Sequence, residues 1–232
     1  MSEGKLYGVA LGPGDPELIT LKGLNILKNS DVIYFPGSIS NRGKKSFALD
    51  ILNCYKLPNA EFKGVYLPMS LDRNHAESVY AQAFADVLAD YRNGKKVAFV
   101  AEGDITFYST FAYLLDRIHA EELRFEMVPG IPAFILAGSQ AQIPLTKQDE
   151  SLLVLSQCND IEQLSSACAT YATVVLMKPT TLKNEIKPFV AKHNGSFVYA
   201  EQLGTDQEFI CSETSALECR EIPYFSIFIF RQ

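Results

Sequence analysis

The feature that most constrains the fold is the alternation of strand-like and helix-like segments over the first 130 residues. Short apolar runs lie at 6–11, 31–37, 64–68, 95–100 and 125–130. Between them, apolar residues recur at helical spacing over 16–29, 75–92 and 105–119. Strands that alternate with helices of this length form a parallel sheet with helices on its faces. The sequence therefore predicts a mainly parallel α/β domain over residues 1–130.

Residues 131–232 follow a different pattern, in which strands outnumber helices. Strand-like runs lie at 152–157, 173–179, 196–202, 208–213 and 224–230, whereas helical patterns occur only near 160–169 and 180–193. An excess of strands over helices favours a mixed or antiparallel sheet. We therefore expect a second α/β domain, with the boundary in the segment Pro129-Gly130-Ile131-Pro132.

Charge and cysteine usage exclude several classes of function. The net charge is −6 and no block of basic residues occurs, so we expect no nucleic-acid partner. No apolar run approaches the about 20 residues of a membrane helix, and the start MSEGKLYG does not resemble a signal peptide. The five cysteines contain no CxxC pair, which predicts neither disulfides nor a protein-bound metal. We expect a cytoplasmic protein without a membrane partner.

Three glycine turns each follow a predicted strand. They are GPGD at 12–15, EGD at 102–104 and PGIP at 129–132. Turns at the carboxyl ends of parallel strands lie at one edge of the sheet, where open α/β sheets bind their ligands. We expect the three turns to line one crevice.

The first turn carries an aspartate where a phosphate-binding loop would present free amides. Asp15 precedes Pro16 and Glu17, which is typical of an N-cap followed by the first residue of a helix. Its carboxylate would accept the amides that a phosphate would otherwise use. Neither Walker A nor GxGxxG spacing is present, which disfavours a nicotinamide dehydrogenase. With Glu102 and Asp104 nearby, a cationic or zwitterionic ligand fits better than a polyphosphate, and S-adenosylmethionine is one such ligand.

Five segments, taken in order, resemble the tetrapyrrole methylase family. They are GPGDPELITLKGLNIL, AEGDITFYST, VPGIPAF followed by AQIPLT, VVLMKP, and EQLGT. The resemblance runs from about residue 5 to about residue 230. It implies two α/β domains, S-adenosylmethionine bound in the cleft between them, and a homodimer.

The resemblance also implies which residues contact the methyl donor. From the first half these are Pro13, Glu102, Gly103, Asp104 and Phe107, the last of them one turn into the predicted helix. From the second half they are Pro132, Ala133, Met177, Leu203 and Gly204. Pro132 and Ala133 replace a Thr-Ser/Ala pair common in relatives, so only backbone contacts are implied there.

The segment DVIYFPGSI at 31–39 separates branches of the family. Uroporphyrinogen methyltransferases have an aspartate, thought to accept a proton, at the position of Pro36. The FPGS ending, Glu102 and the YFSIFIF strand resemble the branch that methylates C20 of precorrin-2 or cobalt-factor II in cobalamin biosynthesis. This resemblance implies an S-adenosylmethionine-dependent C-methyltransferase. Another tetrapyrrole methylase, such as a uroporphyrinogen-III methyltransferase, and a non-catalytic ligand-binding module remain open.

The tetrapyrrole implied by this branch carries acetate and propionate carboxylates around its edge. Arg42, Lys44 and Lys45, in the loop predicted at 39–46, are candidates to pair with them. Attack of a meso carbon on the donor methyl requires alignment and exclusion of water. A base that accepts the C20 proton would be Tyr108 or Asp104.

Overall fold

The computed structural model describes residues 4–41, 43–68 and 73–232, without the side chains of 73–75. Two units make up the chain, and they divide between Pro132 and Ala133. Each unit contains one β-sheet covered by helices, and each is described in turn.

The first unit is built on a six-stranded sheet. Its strands are β1 (Lys5–Ala10), β2 (Val32–Ser40), β3 (Gly43–Lys45), β4 (Glu61–Pro68), β5 (Lys96–Ala101) and β6 (Phe125–Val128). Strands β2, β5, β1 and β6 lie side by side, and β4 pairs with β2. All of these pairings are parallel, whereas β3 returns antiparallel to the end of β2. The predicted parallel α/β architecture is confirmed.

Four helices cover the two faces of this sheet: α1 (Leu21–Lys28), α2 (Phe47–Asn53), α3 (Arg73–Arg92) and α4 (Ala112–Ala120). Successive side chains of a strand point to opposite faces, so the central strands fill two cores. On one face, Val97 and Phe99 pack among side chains of α3 and α4. On the other, Ala98 and Val100 pack among side chains of α1 and α2.

The second unit contains a five-stranded mixed sheet. Its strands are β7 (Leu152–Leu155), β8 (Thr173–Met177), β9 (Ser196–Glu201), β10 (Phe209–Cys211) and β11 (Ser226–Arg231), in the order β10-β9-β11-β8-β7. Only β7 and β8 pair in parallel, so the predicted mixed sheet is confirmed. The helices of this unit are α5 (Ala133–Gln140), α6 (Ile161–Thr170) and α7 (Ile186–Lys192).

The helix predicted over 16–29 is interrupted. Pro16–Leu18 form a single 3-10 turn, after which Ile19 and Thr20 are extended. The α-helix starts at Leu21, because the Thr20 hydroxyl accepts the Gly23 amide at 3.1 Å as a new N-cap. The prediction of one continuous helix was therefore wrong.

The helix predicted over 105–119 begins only at Ala112. Polar side chains satisfy the preceding amides locally, since Asp104 accepts the Thr106 amide and Ser109 accepts the Phe111 amide. Such bonds favour turns over a helix. The predicted position of Phe107 inside this helix was wrong.

The prediction of a loop at 39–46 was also wrong. β2 continues to Ser40, and β3 pairs with it in the register Ser38 to Lys45 and Ile39 to Lys44. Residues 38–40 and 43–45 are thus paired antiparallel, and we call this pair of strands, which carries Lys44 and Lys45, the basic hairpin.

Candidate functional site

The three glycine turns meet at the carboxyl ends of β1, β5 and β6. Gly12 and Gly103 form an antiparallel bridge, with N–O distances of 3.2 Å and 2.7 Å between their backbones. Gly130 lies against both, because a Cβ added to it would stand 2.5 Å from the Gly103 carbonyl oxygen. The predicted convergence of the turns is confirmed.

Glycine is required at these positions by backbone conformation and by space. Gly12 and Gly103 have φ values of +84° and +68°, which other residues adopt only with strain. At Gly130 the same added Cβ would also lie 2.6 Å from the Ala10 Cβ. The edge of the sheet is therefore formed by closely packed main chain, in which glycine lets the turns contact one another.

Asp104 joins the second turn to the third. One carboxylate oxygen accepts the Gly130 amide at 2.7 Å, and the other accepts the amide and the hydroxyl of Thr106. The residue is only 7% exposed. Burial raises the pKa of Asp104, but the bonds from Thr106 and Gly130 outweigh it and hold the pKa below its usual range. The carboxylate is therefore kept charged and acts as a clamp between the turns.

Asp15 occupies the N-cap position predicted for it. Its carboxylate accepts the Glu17 amide at 2.8 Å, and Pro16 follows as the first residue of the 3-10 turn. Tyr55 donates its hydroxyl to the Pro16 carbonyl at 2.7 Å, which ties this turn to the segment after α2. Burial, with smaller contributions from Cys54 and Asp15, raises the pKa of Tyr55 to about 12, so the phenol stays protonated.

Glu102 points toward α2. Its carboxylate accepts the Ala48 amide at 3.2 Å, within the first turn of that helix. Pro13 is buried in the first turn. Their predicted contacts with a methyl donor stay predictions.

The residues between Asp104 and α4 form a turn that carries two aromatic side chains. Tyr108 has a φ of +49° and is 50% exposed. Its ring lies edge-on to Phe107, with 4.7 Å between ring centroids. A left-handed backbone is uncommon at a bulky residue, and such strained conformations cluster at functional sites.

In the second unit, Met177, Leu203 and Gly204 lie at one edge of the sheet. Met177 ends β8, and the other two residues follow β9. The Lys178 amide donates to the backbone carbonyl of the first residue of β11 at 3.0 Å. The Gln202 amide donates to the backbone carbonyl of the residue just before β11 at 3.1 Å. The strand ends are therefore neighbours, as a shared ligand would require. Pro132 ends the first unit and Ala133 begins α5.

Sequence reasoning missed a buried acid at this edge. Glu201, the last residue of β9, accepts the Tyr199 hydroxyl and an Arg220 guanidinium N–H. The Arg220 guanidinium also lies 3.5 Å from the centroid of the Phe209 ring. Burial, followed by the bond to Glu201, raises the pKa of Tyr199. The available signal was a charged residue at the end of an otherwise apolar strand.

Two of the three basic residues predicted to bind substrate, Lys44 and Lys45, belong to the basic hairpin. Lys44 and Lys45 are exposed on β3 and, as neighbours in a strand, lie on opposite faces. The Lys44 Nζ stands 4.5 Å from the centroid of the Tyr66 ring, in a cation–π contact. Arg42 lies outside the described residues.

Comparison with known proteins identifies the family. The chain belongs to the tetrapyrrole (corrin/porphyrin) methylases, whose model matches residues 5–217. It is 34% identical to the cobalt-precorrin-2 C(20)-methyltransferase of Salmonella typhimurium over 82% of this chain and 78% of the relative. It is 31% identical to a probable cobalt-precorrin-2 C(20)-methyltransferase of Methanocaldococcus jannaschii, over 84% and 80%. The family resemblance inferred from the sequence is confirmed.

Solved structures agree on the fold. A cobalt precorrin-4 methyltransferase has a TM-score of 0.72 at 21% identity, covering 98% of this chain and 94% of its own. A uroporphyrin-III C-methyltransferase from Thermus thermophilus, solved with S-adenosylhomocysteine, has a TM-score of 0.65 at 18% identity, covering 99% and 98%. At these identities the likeness confirms the two-sheet α/β fold.

Among the described residues, no group of three or more His, Cys, Asp or Glu side chains is placed to hold a metal ion. Within the same ranges, every helix is too short or too polar to span a bilayer.

Proposed function

We propose that this protein is an S-adenosylmethionine-dependent C-methyltransferase that methylates C20 of precorrin-2 or cobalt-factor II in cobalamin biosynthesis. The observation that carries the proposal is the identity of 34% and 31% to two C20-methyltransferases over more than four fifths of the chain. The absence of an acid at Pro36 supports this branch over the uroporphyrinogen methyltransferases. Pro36 contributes a backbone carbonyl, which accepts the Ser46 hydroxyl at 2.6 Å.

We propose, from the family resemblance, that the donor is bound jointly by an N-terminal domain, residues 1–130, and a C-terminal domain, residues 131–232. The donor would supply a methyl group bound to a positively charged sulfur. The charge at the first two turns fits such a ligand, because Asp15 and Asp104 each accept a backbone amide. Those amides are then unavailable to a phosphate, whereas the carboxylates attract a cation.

The residues that would hold the donor are those implied by the family. In the first unit, Pro13, Gly103 and Phe107 belong to the turns that meet at the sheet edge. In the second unit, Met177, Leu203 and Gly204 share one sheet edge, and Pro132 and Ala133 join the two units. Gly12 and Gly103 let the main chain adopt positive φ angles, and Gly130 lets the turns pack against one another.

The protein's part in the reaction is alignment and proton removal. C20 forms a bond to the methyl carbon, the carbon–sulfur bond breaks, and the C20 proton leaves to restore conjugation. Holding three atoms in line and excluding water supplies most of the acceleration. Of the two candidate bases, Asp104 is committed to Gly130 and Thr106 and has a lowered pKa, which makes it a weak base. Tyr108 is half exposed and is the stronger candidate.

The tetrapyrrole carboxylates would pair with the basic hairpin. Lys44 and Lys45 project from a paired strand, so less conformational entropy is lost on binding than from a loop. The guanidinium of Arg42 would add a bidentate donor for a carboxylate.

We further propose that the protein acts in the cytoplasm as a homodimer, without nucleic-acid or membrane partners. The family resemblance supports the dimer, and the net charge of −6 disfavours nucleic acid. Light scattering should give twice the 25.8 kDa of one chain. A mass of one chain at micromolar concentration would contradict the dimer.

A methyl-transfer assay tests the activity. The protein is incubated with S-adenosylmethionine and, in separate reactions, with sirohydrochlorin, its cobalt complex or uroporphyrinogen III. We expect the mass of one added methyl group and a changed visible spectrum with sirohydrochlorin, which is oxidised precorrin-2, or with its cobalt complex. Methylation of uroporphyrinogen III alone would replace the proposal with the alternative, and donor binding without any transfer would indicate a binding module.

A further inference from the structure

Glu102 lies where two parts of the first unit meet. The residue that follows it in the chain, Gly103, forms a backbone bridge with Gly12 at the sheet edge. Its side chain reaches α2 instead, where a carboxylate oxygen accepts the Ala48 amide at 3.2 Å. These two residues are 54 positions apart in the chain. One residue therefore connects the turns of the candidate donor site to the helix that follows the basic hairpin.

The first turn of α2 is held from two directions. Ser46, the N-cap, accepts the Leu49 amide at 3.0 Å. Glu102 accepts the neighbouring Ala48 amide, and its negative charge is favourable at the start of a helix. Ala48 is fully buried, so water does not readily replace the carboxylate there. Loss of the acid would leave a buried amide without this partner.

The start of α2 in turn fixes the end of the basic hairpin. Ser46 directly follows Lys45, and its hydroxyl donates to the Pro36 carbonyl in β2 at 2.6 Å. The hydroxyl thus accepts from α2 and donates to β2 at the same time. A shift of α2 would be transmitted through Ser46 to the strand that carries both lysines.

The same open end of the basic hairpin also lies against an aromatic ring. The Tyr66 ring covers Gly37 and Gly64, since a Cβ at either position would lie 2.7 Å or 2.3 Å from it. The Lys44 Nζ stands over this ring at 4.5 Å. The hairpin is thereby positioned by two contacts, the Tyr66 stack and the α2 start that Glu102 holds.

We infer that Glu102 is a positioning residue: it fixes the basic hairpin relative to the donor turns, so that substrate affinity, not donor affinity, depends on it. This differs from the donor contact that the family resemblance implies for this residue. The inference rests on the proposed function for its substrate, a tetrapyrrole carboxylate edge. The part of the inference that concerns the contact between Glu102 and α2 does not depend on the proposed function.

Two variants separate a role of Glu102 in positioning the basic hairpin from a direct contact with the methyl donor. Glu102→Gln keeps an oxygen that accepts the Ala48 amide, whereas Glu102→Met has similar length and no acceptor. We expect Glu102→Met to speed hydrogen exchange at the Ala48 amide about tenfold and to raise the KM for the tetrapyrrole about fivefold. The Kd for S-adenosylhomocysteine should not change, and Glu102→Gln should stay within about twofold of wild type in all three quantities.

Asp31→Leu is the matched control. Asp31 also accepts a backbone amide, from Lys96 at 2.7 Å, but at the amino end of the same sheet. Its removal should leave the KM and the Ala48 exchange rate unchanged.

Two results would overturn the inference: an unchanged Ala48 exchange rate in Glu102→Met, or equal weakening of S-adenosylhomocysteine binding in both variants. The second would restore the donor contact. If wild type methylates no tetrapyrrole, the proposed function fails, while exchange at Ala48, measured by NMR, and donor affinity, measured by calorimetry, still decide the role of Glu102.

Discussion

Replacing Asp104 with alanine removes the clamp between the second and third turns. In the wild-type protein the carboxylate accepts the Gly130 amide at 2.7 Å and the Thr106 amide at 2.8 Å, and it also accepts the Thr106 hydroxyl. Because the site is buried, water reaches these donors poorly after the substitution. The variant should therefore lose stability and disorder the third turn.

The size of the effect follows from the contacts. A hydrogen bond to a charged group contributes about 1.5–3 kcal/mol, and such contributions within one cluster are not additive. We expect Asp104→Ala to lower the free energy of opening of the first unit by about 3 kcal/mol. Asp104→Asn keeps one acceptor oxygen and should lose about half of that. Asp160→Ala, which removes one exposed N-cap bond to Gln163 in the second unit, should cost about 1 kcal/mol.

Native-state hydrogen exchange measures this quantity unit by unit, which matters because a chain of two units need not unfold in one step. Peptides from β1 and β5 report on the first unit, and peptides from β8 and β11 report on the second. Asp104→Ala should affect the first set and Asp160→Ala the second. If Asp104→Ala lowers the free energy of opening measured from the β1 and β5 peptides by less than about 0.5 kcal/mol, the clamp is refuted.

Three further predictions concern other contacts of the first unit. Gly130→Ala should destabilise the first unit by about 1–3 kcal/mol and weaken S-adenosylhomocysteine binding in calorimetry, because the new Cβ meets backbone at 2.5 Å; unchanged affinity would separate this turn from the donor site. Bonds from Lys63, Lys95 and Tyr34 overcome burial and lower the pKa of Asp90 to about 2. Since the folded protein favours the charged form, this stabilisation is present above pH 4 and is lost as the pH falls toward 2. Comparing urea midpoints of wild type and Asp90→Asn from pH 5 to 2 should reveal about 2 kcal/mol that only the wild type loses; parallel pH profiles would contradict the shift. Lys45→Gln should raise the KM for the tetrapyrrole about fivefold without changing donor affinity; a KM equal to that of wild type would remove Lys45 from substrate binding.

The sheets could be predicted from the sequence because their signal is local. Runs such as 95–100 and 173–179 are apolar and rich in valine, which favours buried strands. The balance of strands and helices then separated a parallel sheet from a mixed one. The glycine turns were predictable for the same reason, since each directly follows a strand.

Two helices were missed because their sequences have no clear polar face. In α5, AFILAGSQ is apolar around most of the helix, and α2 has only seven residues. Spacing alone does not separate such segments from strands or loops. The opposite error occurred at 105–111, where apolar spacing predicted a helix that the Asp104 and Ser109 side chains replace with turns.

The contacts that build the candidate site could not be predicted from local pattern. Glu102 binds an amide 54 residues away, and Asp104 binds one 26 residues away. From the sequence, both acids were predicted to lie at the crevice and to contact the ligand. In the fold both hold protein amides, which local pattern does not indicate, and their contact with a donor stays a prediction.

Binding of S-adenosylhomocysteine, followed by hydrogen exchange, tests most directly whether the glycine turns form the donor site. The ligand should slow exchange in peptides that contain residues 11–15, 102–108 and 128–132, while NAD at the same concentration should leave all three unchanged. Protection confined to other segments, or protection of these turns by NAD in preference to S-adenosylhomocysteine, would contradict a methyl-donor site at the glycine turns.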